Sequence, residues 1–357
     1  VAAVRLAVRR ALPVLTSDDG VRWIPDMGPT PTVLVACSGG ADSLALLAAT
    51  VFEVGKVDGA RVVGAVVDHG LQEGSAEHTA RVVAQMAQLG VDETASIRVT
   101  VDPGPSGVEA GARHARYAAL GQLAEHFGAY QVLLGHTLDD QAETVLLGLT
   151  QGSGPRSVQG MRHETKELGG PLLRRPLLGL TRAQTEAACR AEDITWWEDP
   201  HNRDQRFLRA RVRHVVMPLL EAELGPGVAA ALARTGPLIR EDLAVLDAIA
   251  EAELGARDFA AGEDVWGLEA LEHVVLTRVL RLAALEAGVP GRELTHGHLS
   301  ALTDMVWARR GEPREVHLPG HVRAVRRDDV LRLEGPSTRP GPDVTGPEDD
   351  TGSRVAG

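Results

Sequence analysis

The sequence has only two cysteines, Cys37 and Cys189, far apart and with no C-x-x-C pair. That argues against a disulfide framework, a zinc ribbon and iron–sulfur ligation alike. Cys37 closes an apolar run, where a free thiol is expected as buried packing rather than as a reactive group. No run of eighteen apolar residues occurs, so no membrane-spanning helix and no membrane partner are expected. Residues 1–15 read as a basic amphipathic helix with Arg5, Arg9 and Arg10 on its polar side. They lack the uninterrupted apolar stretch and cleavage site of a signal peptide, and a cytoplasmic location is the expectation. Excess positive charge is also missing: the formal net charge is −12. This argues against a uniformly basic nucleic-acid binder but leaves room for a local basic patch. There is no internal repeat, and nothing in the sequence bears on oligomeric state.

What is present is an ordinary globular composition, 44% hydrophobic and 24% charged, over 357 residues, enough for two or three domains. From Thr32 to about Leu178, short β-branched runs alternate with longer helical ones. Strands are expected at 33–37, 61–67, 96–101 and 131–134. Helices are expected at 43–54, 75–89 (with Ala80, Val83, Ala84 and Ala87 on one face), 107–127 and 139–149. This alternation predicts an α/β fold with a doubly wound parallel sheet, whose ligands sit outside the carboxyl ends of the strands. After Leu180 the pattern predicts a helix over 181–192 capped by Thr181 and a short strand over 194–197. An arginine-bearing helix over 206–224 follows, then helices over 228–254 and 269–287. Period-two segments at 315–318, 322–326 and 330–333 suggest a small β-meander. The resulting division is a lead-in over 1–30, a catalytic domain over 31–220 and a smaller, mainly helical C-terminal domain with a short β segment over 221–334. A Gly/Pro/Asp-rich tail over 335–357 has too little apolar surface to order itself.

Ser38-Gly39-Gly40-Ala41-Asp42-Ser43 lies between a buried strand and a helix. Two glycines allow a tight turn that aims successive N–H groups at one anion, two serines add hydroxyls, and the helix contributes its positive end. A polyphosphate suits such a cradle. Asp42 beside phosphates is unfavourable unless a cation intervenes, and Mg2+ bridging Asp42 to phosphate oxygens would resolve the conflict. The bland alternative is a Gly-rich turn with Asp42 as helix cap. The loop lacks the Gly-Lys-Ser/Thr ending of the Walker loop and the G-x-G-x-x-G of dinucleotide sites.

This loop resembles the S-G-G-x-D-S loop of N-type ATP pyrophosphatases, which implies cleavage of ATP between the α and β phosphates. Later strings narrow the choice. They are Asp68-His69-Gly70-Leu71; Gly107-Val108-Glu109-Ala110 leading to Arg113 and Arg116; Gly135-His136-Thr137-Leu138-Asp139-Asp140-Gln141-Ala142-Glu143-Thr144; Gly152-Ser153-Gly154; Arg174-Arg175-Pro176-Leu177; and Trp197-Glu198-Asp199-Pro200 with Asn202. Over roughly residues 33–220 they closely resemble the tRNA(Ile)-lysidine synthetase family. The resemblance implies that ATP, with Mg2+, adenylates the wobble cytidine of an isoleucine tRNA with a CAU anticodon. L-lysine then displaces AMP. It implies a nucleotide site from Ser38, Gly39, Gly40, Ala41, Asp42, Ser43, Asp68, Arg113 and Gly135, catalytic roles for Asp42, His136 and Asp139, and Asp42 and Asp139 as metal ligands. Gln151 departs from the basic residue many relatives carry there, and the C-terminal region is short for a large extra tRNA-binding domain.

On their own chemistry, several of these residues keep two readings. His136, Asp139, Asp140 and Glu143 share one face of a strand end and first helical turn. They could hold a metal, orient an ammonium or accept a proton, or they could be ordinary helix-end electrostatics. Arg113 and Arg116 are either a solvated helix face or a contact to the α-phosphate or to tRNA. Arg206, Arg209 and Arg213 follow helical spacing and could track a tRNA backbone, or they could pair with the protein's own carboxylates. Phe207, Trp196 and Trp197 are expected in packing. Two rivals stay open: another ATP pyrophosphatase such as a thiolase, which would want paired cysteines, and a non-catalytic nucleotide-binding module.

Overall fold

The computed structural model describes the chain except residues 13, 18–19, 24–30, 71–73, 102–106, 151, 153, 167–169, 199–203, 292 and 336–357; the side chains of 14–17, 20–23 and 107–110 are also left undescribed. Gln151, Asn202 and nearly all of the tail therefore lie outside the described residues. The chain separates into two compact units, Val1–Arg240 and Glu241–Gly357.

The first unit runs α1 (Ala2–Ala11), β1 (Val14–Ser17), β2 (Gly20–Trp23), β3 (Thr32–Ala36), α2 (Ala41–Val54), β4 (Arg61–Asp68), α3 (Ser75–Gln88), β5 (Glu93–Arg98), α4 (Gly107–His126), β6 (Ala129–Leu134) and α5 (Leu138–Thr150). It continues with β7 (Glu164–Lys166), β8 (Leu172–Arg174), α6 (Arg182–Ala191), α7 (Leu208–Arg211), a π-helical turn Val212–Val216, α8 (Met217–Leu224) and the start of α9 (Val228–Gly255). A six-stranded sheet has the order β5-β4-β3-β6-β8-β7. All its pairs are parallel except β7 with β8. The doubly wound α/β fold expected from the alternation is thus present.

Side-chain alternation explains the two layers. Val33 and Val35 of β3 face the core shared with α1, α2, α3 and α6, while Leu34 and Ala36 face the core under α4. Buried on both sides, β3 is the central strand of a covered parallel sheet. The chain leaves β3 toward β4 and β5, then returns to pair β6 on its other side. The β3–β6 boundary is therefore the switch point where ligands of such sheets collect.

Several expectations need correction. The first helix ends at Ala11, and the chain continues into the β1–β2 hairpin. β5 lies at 93–98 rather than 96–101, because its register is set residue by residue against Val63–Asp68 of β4. The apolar Ile97, Val99 and Val101 drew the reading too late on an exposed edge strand. In α3 the buried residues are Val82 and Met86, whereas Ala80, Ala84 and Ala87 are exposed; the bulkier pair removes more apolar area from water. Residues 194–197 form no strand; they are tied by Ile194 N–H to Cys189 O at 2.9 Å, by the Gln85 amide to Thr195 O and by Trp197 N–H to Gly39 O at 3.0 Å. The arginine-bearing helix starts at Leu208 and contains the π turn, and Phe207 is exposed rather than packed in the core. Thr181 caps α6 as expected, in a capping box with Gln184.

In the second unit, α10 (Val265–Glu269), α11 (His273–Glu286) and α12 (His296–Val306) pack with the antiparallel sheet β10 (Arg314–Leu318), β11 (Val322–Arg327), β12 (Val330–Glu334) and β9 (Glu263–Asp264). The expected meander is β10–β12. The expected helix over 269–287 is instead broken before His273, leaving Glu269 at the end of α10. Among the described residues no single helix is long and apolar enough to cross a membrane.

Candidate active site

The Ser38–Ser43 loop follows β3 directly. Cys37 N–H continues the parallel ladder to Ala65 O, and the loop then folds on itself. Ser43 Oγ accepts from Ser38 N–H at 3.1 Å and donates to Gly40 O at 2.9 Å. Gly39 has φ +81°, and a Cβ there would stand 2.7 Å from Val82 and 3.1 Å from the His78 ring, so this turn requires glycine. The end of β6 presses on the loop from the other strand. A Cβ on Gly135 would lie 3.1 Å from the backbone of Asp42 and Ser43. The two strands of the switch point thus bring Gly135 against the start of α2.

Two arginines tie the acidic groups together. Arg182, the first residue of α6, donates from its backbone N–H to Asp139 Oδ2 at 2.7 Å, from Nε to Asp42 Oδ2 at 3.2 Å and from Nη2 to Asp140 Oδ1 at 3.1 Å. Asp42 Oδ1 also accepts from Thr185 Oγ1. Arg213 donates to Asp140 Oδ1 at 2.7 Å and to both oxygens of Glu143 at 2.6 and 2.9 Å. Arg209 reaches Thr144 Oγ1 at 2.9 Å and lies 3.6 Å from Glu143. Asp140 further accepts from Thr137 N–H and hydroxyl, so it braces the start of α5.

This answers part of the question left open by the sequence. Arg209 and Arg213 are turned inward onto carboxylates, while the Arg206 side chain pairs with Asp204 and is largely in solvent. Among the residues read as a cluster, Asp139, Asp140 and Glu143 converge on Arg182 and Arg213, which the sequence gave no reason to join. Arg182 directly follows the Thr181 cap, and no local signal marks it.

Two cavities meet at the loop. One, about 510 Å³, is lined by Cys37, Asp68, His69, His78, Arg116 and Trp197; the other, about 310 Å³, by Asp42, Ser43, Gly135, His136, Arg182 and Arg213. Ser38, Arg116 and Trp197 border both. Trp197 stacks on His78 with ring centroids 3.9 Å apart, and His78 Nε2 lies 3.1 Å from Ser38 O. Trp197 is therefore a wall of the site as well as packing. Arg116 is the arginine of the 113/116 pair that faces the cavities; Arg113 is exposed, lies over Tyr117 and is absent from both linings. Burial lowers the Arg116 pKa, and among the described residues no carboxylate pairs with it. Asp68 accepts from Gly70 N–H at 2.8 Å beside the larger cavity.

Burial raises the Asp42 pKa, with Arg182 opposing, whereas Asp140 is held below the usual carboxylate range by Arg182 and Arg213 against its burial. Burial pushes the Cys37 thiol up and Cys189 to about 11, so neither is a thiolate. His136 is pushed down to about 3, mainly by burial, with Asp140 opposing and Arg116 adding, and among the described residues its Nδ1 has no hydrogen-bond partner. It is therefore neutral at pH 7. Between about 3 and 6.5 the unfolded chain holds a proton on this residue that the folded chain does not, so this contribution makes stability rise with pH across that window. His136→Gln is expected to flatten that part of the pH dependence of the melting temperature. An unchanged slope would show that His136 is protonated in the folded state.

Among the described residues no group of three or more His, Cys, Asp or Glu is placed to hold a metal ion. Asp42, Asp139 and Asp140 all bond Arg182, Asp42 and Asp140 through the guanidinium and Asp139 through the backbone N–H. One or two such carboxylates would suit Mg2+ when phosphate oxygens and water complete its shell, and would not suit an all-protein cage.

Fold and loop define the class. A family model described as a PP-loop domain matches residues 21–220, and one described as a TilS substrate binding domain matches residues 264–331. A tRNA(Ile)-lysidine synthase of Salinispora arenicola is 48% identical, with 94% of this chain and 97% of that protein covered. The corresponding synthase of Streptomyces coelicolor is 45% identical, over 93% and 97%. Among solved structures, a U34-tRNA thiolase from Methanococcus maripaludis matches with a TM-score of 0.52 at 14% identity, covering 67% of this chain and 79% of that one, a likeness of fold. The chain belongs to the tRNA(Ile)-lysidine synthase family.

Proposed function

We propose that this protein is a cytoplasmic ligase that uses ATP to join L-lysine to the wobble cytidine of an isoleucine tRNA with a CAU anticodon. The observation that carries the reading is the pair of cavities meeting at the Ser38–Ser43 loop with Arg116 on their shared border. The larger has room for a nucleoside, and the smaller holds the charged groups. In the first step the cytosine O2 attacks the α-phosphorus and pyrophosphate leaves. In the second, the lysine ε-amine attacks the base carbon, AMP departs with the oxygen, and the amine gives up a proton.

The residues divide this work. Ser38, Gly39, Gly40, Ala41 and Ser43, with Gly135 behind them, cradle the β and γ phosphates, and Asp68 meets the nucleoside. Arg116 takes the α-phosphate in place of Arg113, because only it borders both cavities. Mg2+, held by Asp42 and Asp139, neutralises phosphate charge when bound. Neutral His136, with its unsatisfied Nδ1, is suited to accept a proton or a hydrogen bond from a group entering the smaller cavity. Arg206 meets tRNA phosphate, while Arg209 and Arg213 hold their helix on α5.

The test is incubation with unfractionated bacterial tRNA, ATP and labelled lysine, followed by nucleoside analysis. Label in one modified cytidine, with stoichiometric AMP and pyrophosphate, is the expected result. Pyrophosphate release without lysine incorporation would point to another PP-loop activity, and ATP binding without pyrophosphate release to a non-catalytic module.

A further inference from the structure

The second unit carries two tryptophans that its core leaves half in solvent, Trp266 at 49% and Trp307 at 51% exposure. Both belong to one construction. Trp266 follows the Asp264 cap of α10, and the next strand turn holds that helix start, with Val265 N–H donating to Asp329 O at 2.9 Å. Trp307 ends α12, and the turn after it is fixed from inside by Arg326, which is 1% exposed. Its guanidinium donates to the carbonyls of Met305, Val306 and Ala308 and to Asp329 Oδ1 at 2.7 Å. Gly311 N–H donates to the same Asp329 oxygen at 3.1 Å. A buried guanidinium is costly unless every proton is used. Here nearly all are used to hold one exposed turn in shape.

That turn displays cations. The Arg310 guanidinium carbon lies 3.0 Å from the centre of the Trp266 ring, and Arg309 and Arg327 are exposed beside it in sequence or hairpin. Elsewhere on this sheet Arg314 is paired with Glu312 and Arg323 with Glu315 and Glu334, while exposed Arg332 donates to the Ala261 carbonyl. Among the described residues Arg309, Arg310 and Arg327 form no ion pair. The turn thus presents Arg309 and Arg310 beside exposed indoles on a chain whose net charge is −12, with Asp329, held below the usual carboxylate range mainly by Arg326, as the nearby carboxylate.

We infer that Trp266, Trp307 and Arg310 form a stacking platform for unpaired nucleotides of the RNA substrate, with Arg309 and Arg327 meeting the neighbouring phosphates. Indole and guanidinium planes both stack on bases irrespective of sequence, and unpaired arginines supply the charge that phosphates require. The inference rests on the proposed reading that the substrate is a tRNA.

The test uses the full chain and an isoleucine tRNA transcript, with a short single-stranded RNA and a duplex of equal length as probes. Trp266→Ala and Trp307→Ala are each expected to weaken tRNA and single-strand binding about tenfold, within the range for loss of one base–aromatic stack. Duplex binding and melting temperature should be unchanged, and Trp→Phe at either position should restore most of the loss. Alanine variants that bind tRNA as tightly as the unaltered chain would overturn the platform. So would a change in oligomeric mass with tRNA affinity intact, which would make the surface a protein interface. Failure of the unaltered chain itself to bind tRNA would overturn the underlying functional reading instead.

Discussion

Asp42→Asn is expected to reduce pyrophosphate release by about two to three orders of magnitude while leaving the protein folded. The loss follows from removing a fixed charge that acts on the transferring phosphates, a contribution of about that size where single electrostatic groups have been deleted from active sites. The survival of the fold follows from the groups around it. Asparagine keeps an oxygen for the Thr185 hydroxyl, and Arg182 keeps Asp140 and, through its backbone, Asp139. The direction of the pKa shift makes the point sharper. Burial raises the Asp42 pKa above the ordinary carboxylate value, so the folded protein disfavours this charge more than the unfolded chain does. A raised carboxyl pKa subtracts stability once the pH exceeds the unfolded value, so at neutral pH the amide is expected to leave the melting temperature unchanged or higher. Parallel measurements of pyrophosphate release and thermal unfolding decide it. Activity within a few-fold of the unaltered protein would remove Asp42 from the chemistry, and a large drop in melting temperature would make it a structural residue.

Arg213→Met is expected to destabilise the first unit by about 3 kcal/mol, the lower end of the range for stripping one partner from a buried ion pair, since the guanidinium keeps one edge in water. Glu143, with its side chain 2% exposed, would be left with Arg209 at 3.6 Å as its charge partner among the described residues, and Asp140 would keep Arg182 and its bonds from Thr137. Arg206→Gln is the contrasting case. The Arg206 side chain is 84% exposed and, among the described residues, bonded to Asp204 alone, so its replacement should not move the melting temperature. It should weaken tRNA binding and lower the log–log salt slope by about one unit, because one fewer counterion is released. Melting curves and tRNA affinities across a salt series separate the two residues. An Arg213→Met variant with unchanged stability and a flattened salt slope would reverse these assignments and put Arg213 on the tRNA.

The contrast between these arginines shows what sequence could and could not carry. The phosphate loop, the strand before it and the order of α and β elements were legible, because each depends on residues within one short window. The Thr181 capping box was legible for the same reason. The partners of Arg182 and Arg213 were not, because helical spacing shows which residues share a face but not what that face meets. Phe207 reads as core although arginines flank it, yet it stands at the exposed start of α7. Alanine periodicity in α3 was misleading since small side chains tolerate either face, while Val82 and Met86 decided the packing. Trp197 reads as packing from its apolar neighbours, whereas its bond to Gly39 and its stacking on His78 place it at the loop.

The reach of Arg182 has a consequence for how the protein is made. It bonds Asp42 across 140 positions of chain, and Arg213 reaches Asp140 across 73. Synthesis proceeds from the amino terminus, and early elements can pair before later ones exist. The loop after β3 can therefore be shaped by β4 and β6 long before α6 and the π-containing helix arrive to close its charge centre. Until then Asp42, Asp139 and Asp140 face one another without their guanidinium partners, which sets like charges against compaction at the middle of the sheet. Nucleotide affinity measured on nascent or truncated chains should thus appear only once Arg182 has docked, well after parallel pairing is complete. Completion of the charge centre, rather than of the sheet, would mark the end of folding for this unit.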